Sequence, residues 1–123
     1  MKQVLLVEPD SLHRELIAEW LRAAGAHPVW PGESLQQTVS IDAILIAVTC
    51  QQHAAALLAP WRRAYPRAVV VLASGRFCPA DTADDAMARR LGATRILAKP
   101  FTRDDLWAAL GLCTTAAPNQ PPP

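Results

Sequence analysis

Apolar positions recur along the chain in two alternating rhythms. Short aliphatic and β-branched runs at 3–7, 27–30, 43–48, 68–73 and 95–98 are separated by stretches with helical spacing. This is the pattern of strand–helix units wound around a parallel sheet, and five strands with up to five helices fit the length. The first helix has Asp10 or Ser11 as its cap, Leu12, Leu16, Ile17, Trp20, Leu21 and Ala24 as its apolar face, and Gly25 as a left-handed stop. Between Pro31 and Ser40 there is room only for a short second helix around Leu35 to Val39. A third helical segment, Gln51 to Tyr65, contains Pro60, which removes a backbone donor and crowds the preceding turn, so a kink or break is predicted near Ala59. The fourth places Asp81, Asp84 and Asp85 at its start, Arg89 and Arg90 at its end, and Gly92 as the stop, with Asp85 and Arg89 at i,i+4 spacing. The last helix follows Lys99-Pro100-Phe101, with Thr102 and Asp105 spaced for a capping box and Leu106, Ala109 and Leu110 facing the sheet.

Composition narrows the class. The chain has 123 residues, 51% of them hydrophobic, enough for one domain with a real core. Its 12 Lys+Arg and 11 Asp+Glu leave a net charge of +1, too little for the counterion-release drive of a general nucleic-acid binder. No apolar stretch approaches the ~20 residues that span a bilayer, and Met1-Lys2-Gln3 leads into the first strand without a small-residue cleavage site. A cytoplasmic protein with no membrane contact is expected. Cys50, Cys78 and Cys113 lack metal-ligand spacing and suit reduced thiols. After Cys113 the composition turns Pro-rich, so the expected organisation is a domain at 1–113 and a solvated tail or linker at 114–123.

Several separated motifs stand in a meaningful order: Val4-Leu5-Leu6-Val7 followed by Glu8, a strand opened by Asp42, Val71-Leu72-Ala73-Ser74-Gly75, and Gly92-Ala93 followed by Lys99-Pro100-Phe101. From about Lys2 to Leu112 the chain resembles the receiver domain of bacterial response regulators. The resemblance implies a flavodoxin-like, doubly wound α/β fold: a five-stranded parallel sheet in the order 2-1-3-4-5, here with a shortened second helix, and a site at the carboxyl ends of the strands. In that family, two acidic side chains after the first strand and an aspartate ending the third hold magnesium, the aspartate accepts a phosphoryl group, and a lysine neutralises the developing charge. Mapped onto this chain, Glu8 takes the first acidic position, Pro9 replaces the second, Ala47 replaces the acceptor, and Lys99 keeps the lysine. The hydroxyl residue falls at Ala73, with Ser74 next door leaving a one-residue slip open, and the switching aromatic falls at Ile96. With two of three carboxylates gone, magnesium binding is expected to be lost, leaving no metal site and no cofactor.

Other readings compete residue by residue. Asp42 lies five residues before Ala47, ~17 Å at the usual strand rise, so geometry rules it out as a substitute acceptor; Asp10 is closer but suits a helix cap. Lys99 either meets an anion of a partner or forms an ion pair with Glu8, the remaining nearby carboxylate. Cys50 and Cys78, in loops after neighbouring strands, are either a redox pair or two unremarkable thiols. His13, His27 and His53 share no ligand spacing. Of the tryptophans 20, 30, 61 and 107, Trp107 is the candidate interface residue, and Arg89, Arg90, Arg95 and Arg103 fall on or near the same face.

The function expected is therefore that of a pseudo-receiver: a phosphorylation-independent signalling module of a two-component-type system, not an enzyme, that acts by binding protein partners or as a homodimer through the fourth helix, fifth strand and fifth helix. The alternatives are a small nucleotide- or flavin-binding α/β protein, against which the glycine-poor loops argue, and the N-terminal regulatory domain of a larger transcription factor or output enzyme.

Overall fold

In the computed structural model the described residues are 2–31, 40–48, 54–75 and 85–112. Their elements are β1 (Gln3–Val7), α1 (Ser11–Ala23), β2 (His27–Val29), β3 (Ala43–Ala47), α2 (Ala54–Ala64), β4 (Val69–Ser74), α3 (Asp85–Leu91), β5 (Arg95–Ala98) and α4 (Arg103–Leu110). The strands form one parallel sheet in the order β2-β1-β3-β4-β5, as expected. The positions of the expected short second helix, Cys50, His53, Cys78, Asp81, Asp84, Cys113 and the Pro-rich tail lie outside the described residues.

Alternation within each strand divides the core into two layers. Val4, Leu6, Ala43, Leu45, Val71, Ala73 and Leu97 face α1 and α4, burying Ile17, Ala18, Leu21, Leu106 and Leu110. Leu5, Ile44, Ile46, Val70, Leu72 and Ile96 face α2 and α3, burying Ala54, Leu58 and Ala88. Both faces of the sheet are covered, and this is why its strands read as nearly continuous apolar runs.

The caps follow local chemistry. Asp10 begins α1, its Oδ1 accepting from the backbone N–H groups of Leu12 at 3.0 Å and His13 at 3.3 Å, and Gly25 ends the turn at φ +81°. Thr102 and Asp105 complete the capping box of α4: the Asp105 N–H donates to Thr102 Oγ1 at 3.1 Å, and the Thr102 N–H donates to Asp105 Oδ2 at 3.1 Å.

Three expectations are corrected. The buried stripe of α1 is Ile17, Ala18 and Leu21, whereas Leu12 is 83% exposed and Leu16 41% exposed. Leu12 and Leu16 are a second apolar ridge, rotated away from the sheet. Pro60 does not break its helix, because α2 runs from Ala54 to Ala64 across it. A proline inside a helix costs ~3 kcal/mol, but Pro60 and Ala56, whose carbonyl loses its partner, are on the exposed side where water can serve, and burial of Leu58 returns about 2 kcal/mol. Trp107 is buried with the rest of the inner face of α4, since its indole Nε1 donates to the Trp20 carbonyl at 2.9 Å.

Candidate functional site

The parallel register sets the site. Val7 pairs with Ile46, Ala47 pairs with Ala73, and Ala73 pairs with Leu97, so the carboxyl ends of β1, β3, β4 and β5 finish side by side. One residue past β1 and one past β5 stand Glu8 and Lys99. The Lys99 backbone N–H donates to the Ser74 carbonyl at 3.0 Å, which extends the β4–β5 ladder and fixes where the lysine leaves the sheet.

Glu8 is the centre of this cluster, with its side chain 3% exposed. Its Oε1 lies 2.7 Å from Lys99 Nζ and 3.1 Å from His13 Nδ1, and its Oε2 accepts from the Asp10 backbone N–H at 3.1 Å. The backbone carbonyl of Glu8 accepts from an Arg14 guanidinium N–H at 3.2 Å. A carboxylate taken out of water needs its lone pairs filled and a countercharge, and both are supplied here. The His13 ring sits 5.3 Å, centroid to centroid, from Phe101, which is itself buried beneath α4. Phe101 follows the Lys99–Pro100 pair, whose peptide bond is cis.

Of the residues the sequence singled out, Glu8 and Lys99 are brought into direct contact, and Ala47 and Ala73 form the neutral floor beside them. Pro9 is exposed on the rim. The chain contains no Asp or Glu anywhere from Ala43 to Ala80, so no carboxylate can stand at the end of β3. Asp10 is occupied as the α1 cap, and Asp42 lies at the opposite end of the sheet, where its Oδ2 accepts from the Gln3 N–H at 2.8 Å.

These residues do not fit a magnesium ion. One carboxylate already carries the lysine and the histidine, Pro9 offers no side-chain oxygen, and Ala47 offers a methyl group, whereas magnesium asks for an octahedral oxygen shell. Among the described residues no group of three His, Cys, Asp or Glu side chains converges on a metal position.

His13 and Arg14 were missed by sequence reasoning. Their signal was the cap: a helix begun by Asp10 presents its first turn to the ends of the strands, placing residues 13 and 14 beside Glu8.

The candidate partner face is divided. Arg89, Arg90, Arg95 and Arg103 are exposed on α3, β5 and α4, as a contact surface requires. Trp107 is buried, at 7% exposure, and the Arg103 guanidinium lies over its ring at 4.7 Å from the centroid. Among the described residues no helix is long and apolar enough to cross a membrane.

No family model and no curated protein matches the chain. Solved structures do. A response regulator from Thermotoga maritima is similar with a TM-score of 0.71 at 18% identity, over 90% of this chain and 95% of that one. A response regulator from Burkholderia pseudomallei, solved with a phosphorylated aspartic acid, a calcium ion and citrate, gives 0.69 at 22% identity, over 89% of this chain and 66% of that one. An atypical orphan response regulator, described as revealing a phosphorylation-independent regulatory mechanism, gives 0.66 at 20% identity, over 91% of this chain and 98% of that one. The chain has the fold of response regulator receiver domains.

Proposed function

We propose that this chain is a degenerate receiver that signals by binding protein partners, without accepting a phosphoryl group, without resident magnesium and without enzymatic activity. The observation that carries this reading is the contact between Glu8 Oε1 and Lys99 Nζ at 2.7 Å, beside a β3 end that carries a methyl group in place of a nucleophile. A phosphoryl acceptor must attack in line with a cation at hand for the equatorial oxygens. Here the lysine is engaged by the Glu8 carboxylate. The state of the module is then set by its sequence or by a partner, and the exposed arginines of α3, β5 and α4 offer the surface for that contact or for a second copy of the chain.

Incubation with acetyl phosphate and magnesium, followed by intact-mass measurement, tests the reading. The expected spectrum is unchanged. A hydroxylamine-labile gain of one phosphoryl mass would sink it.

A further inference from the structure

Charge is unevenly distributed in this nearly neutral chain. The stretch from Ala43 to Ala80 holds four arginines, Arg62, Arg63, Arg67 and Arg76, and no acid, while Arg89, Arg90 and Arg95 follow soon after. The topology brings most of these together. Because α2 and α3 run antiparallel to the strands, Arg62, Arg63, Arg89 and Arg90 at their C-terminal turns meet Arg67, before β4, and Arg95, at the start of β5, at the end of the sheet away from Glu8. All six are exposed, and none makes an ion pair with a described side chain; the side chain of Asp85, spaced to pair with Arg89, lies outside the described ones. The acid described at that end, Asp42, already accepts from the Gln3 N–H.

Arginine at a helix C-terminus is also what the macrodipole favours, worth about 0.3–1 kcal/mol each. That accounts for four of the six, but not for Arg67 and Arg95, nor for the shape between the helices. There, α2 and α3 enclose an open groove of about 520 Å³ with Leu58, Ala59 and Ala93 along its floor and Arg62, Arg89 and Arg90 at its rim. Among the described residues, Arg90 Nη2 donates to Met87 Sδ at 3.3 Å, and the guanidinium groups of all three arginines carry further N–H donors suited to carboxylates.

We propose that this groove binds an acidic segment of a partner protein, with carboxylates on the arginine rim and an interspersed apolar side chain on the floor. The proposal rests on the protein-binding reading above and gives the partner its chemistry. A nucleic-acid backbone would satisfy the rim, but it carries no apolar group for the floor. An acidic peptide with leucine-like side chains matches both parts, and bidentate guanidinium–carboxylate pairing gives it orientation as well as attraction.

The test is fluorescence anisotropy at low salt with a short fluorescein-labelled peptide of Glu-Glu-Leu repeats, its Gln-Gln-Leu counterpart, and a single-stranded oligonucleotide. The Glu peptide is expected to bind about tenfold or more tightly than the Gln peptide, and to lose that margin in the triple variant Arg62→Gln/Arg89→Gln/Arg90→Gln and at high salt. Arg22→Gln, on the far side of the sheet, changes the net charge without touching the groove and is expected to leave binding as it was. Equal affinity for both peptides, binding unaffected by the triple variant, tighter arginine-dependent binding of the oligonucleotide, or no binding at all would each overturn the groove assignment. Phosphorylation by acetyl phosphate is read separately, so failure of the receiver reading and failure of the groove are distinguishable.

Discussion

Replacing Glu8 with Gln removes one charge and almost no volume, so it isolates what the buried ion pair contributes. Removing one partner of a fully buried pair typically costs 3–5 kcal/mol, because the other charge is left without compensation. Two features reduce that here. Lys99 keeps 25% of its side chain exposed, so water can reach the orphaned ammonium, and the amide keeps a carbonyl oxygen where Oε1 now accepts from Lys99 and His13. The expected loss is about 1–2 kcal/mol, or roughly 4–8 °C in Tm for a domain of this size. Thermal and urea unfolding followed by circular dichroism at neutral pH measure it. A double-mutant cycle with Lys99→Met then separates the pair from the effects of either residue alone, and a coupling of about 1 kcal/mol is expected. His13 stays with Glu8 in the Lys99→Met variant, so the cycle reports the lysine's share. An unchanged midpoint in Glu8→Gln, or strict additivity in the cycle, would refute the claim that this contact holds the site together.

Ala47→Asp alone is expected to remain unlabelled by acetyl phosphate with magnesium, because one new carboxylate beside an engaged Glu8 still leaves the metal short of ligands, whereas Pro9→Asp/Ala47→Asp is expected to be labelled; intact mass decides, and labelling of the single variant would contradict the argument. Pro60→Ala restores a backbone donor within α2 and is expected to raise stability by about 1–3 kcal/mol, read from urea midpoints. Thr102→Ala removes the side-chain half of the α4 capping box, the Thr102 Oγ1 that accepts from the Asp105 N–H, and is expected to cost about 1 kcal/mol, visible as a Tm lowered by several degrees.

The strands were legible because a sheet covered on both faces leaves little room for polar residues. The observed β1 and β5 coincide with the apolar runs, and β4 is displaced by one residue. Caps were legible for the same local reason: Thr102 and Asp105 satisfy each other's backbone whatever the rest of the chain does. Rotation of a helix about its axis was not. Leu12 and Leu16 form one ridge and Ile17 and Leu21 the next, with Trp20 half-buried against the core, and only the docked sheet chooses between the ridges. That choice also placed His13 and Arg14 at the site. Trp107 misled for a related reason: its place on the last helix, near the arginine face, pointed to a contact surface, yet the Trp20 carbonyl offers the indole a buried partner.

The composition of the site follows from its charge. Three carboxylates crowded at the ends of adjacent strands repel one another, and in a working receiver a divalent cation and a lysine are needed to hold them there. In this chain Pro9 and Ala47 stand at the two positions where such carboxylates would be expected, while the lysine still requires a counterion. Glu8, with one more methylene than an aspartate, reaches Lys99 at 2.7 Å and closes a neutral pair of one negative and one positive charge. On the reading proposed above, magnesium would have to displace the ammonium from the carboxylate it already holds. On the proposed reading the lysine serves Glu8, its observed partner at 2.7 Å, and is not itself an argument for phosphotransfer.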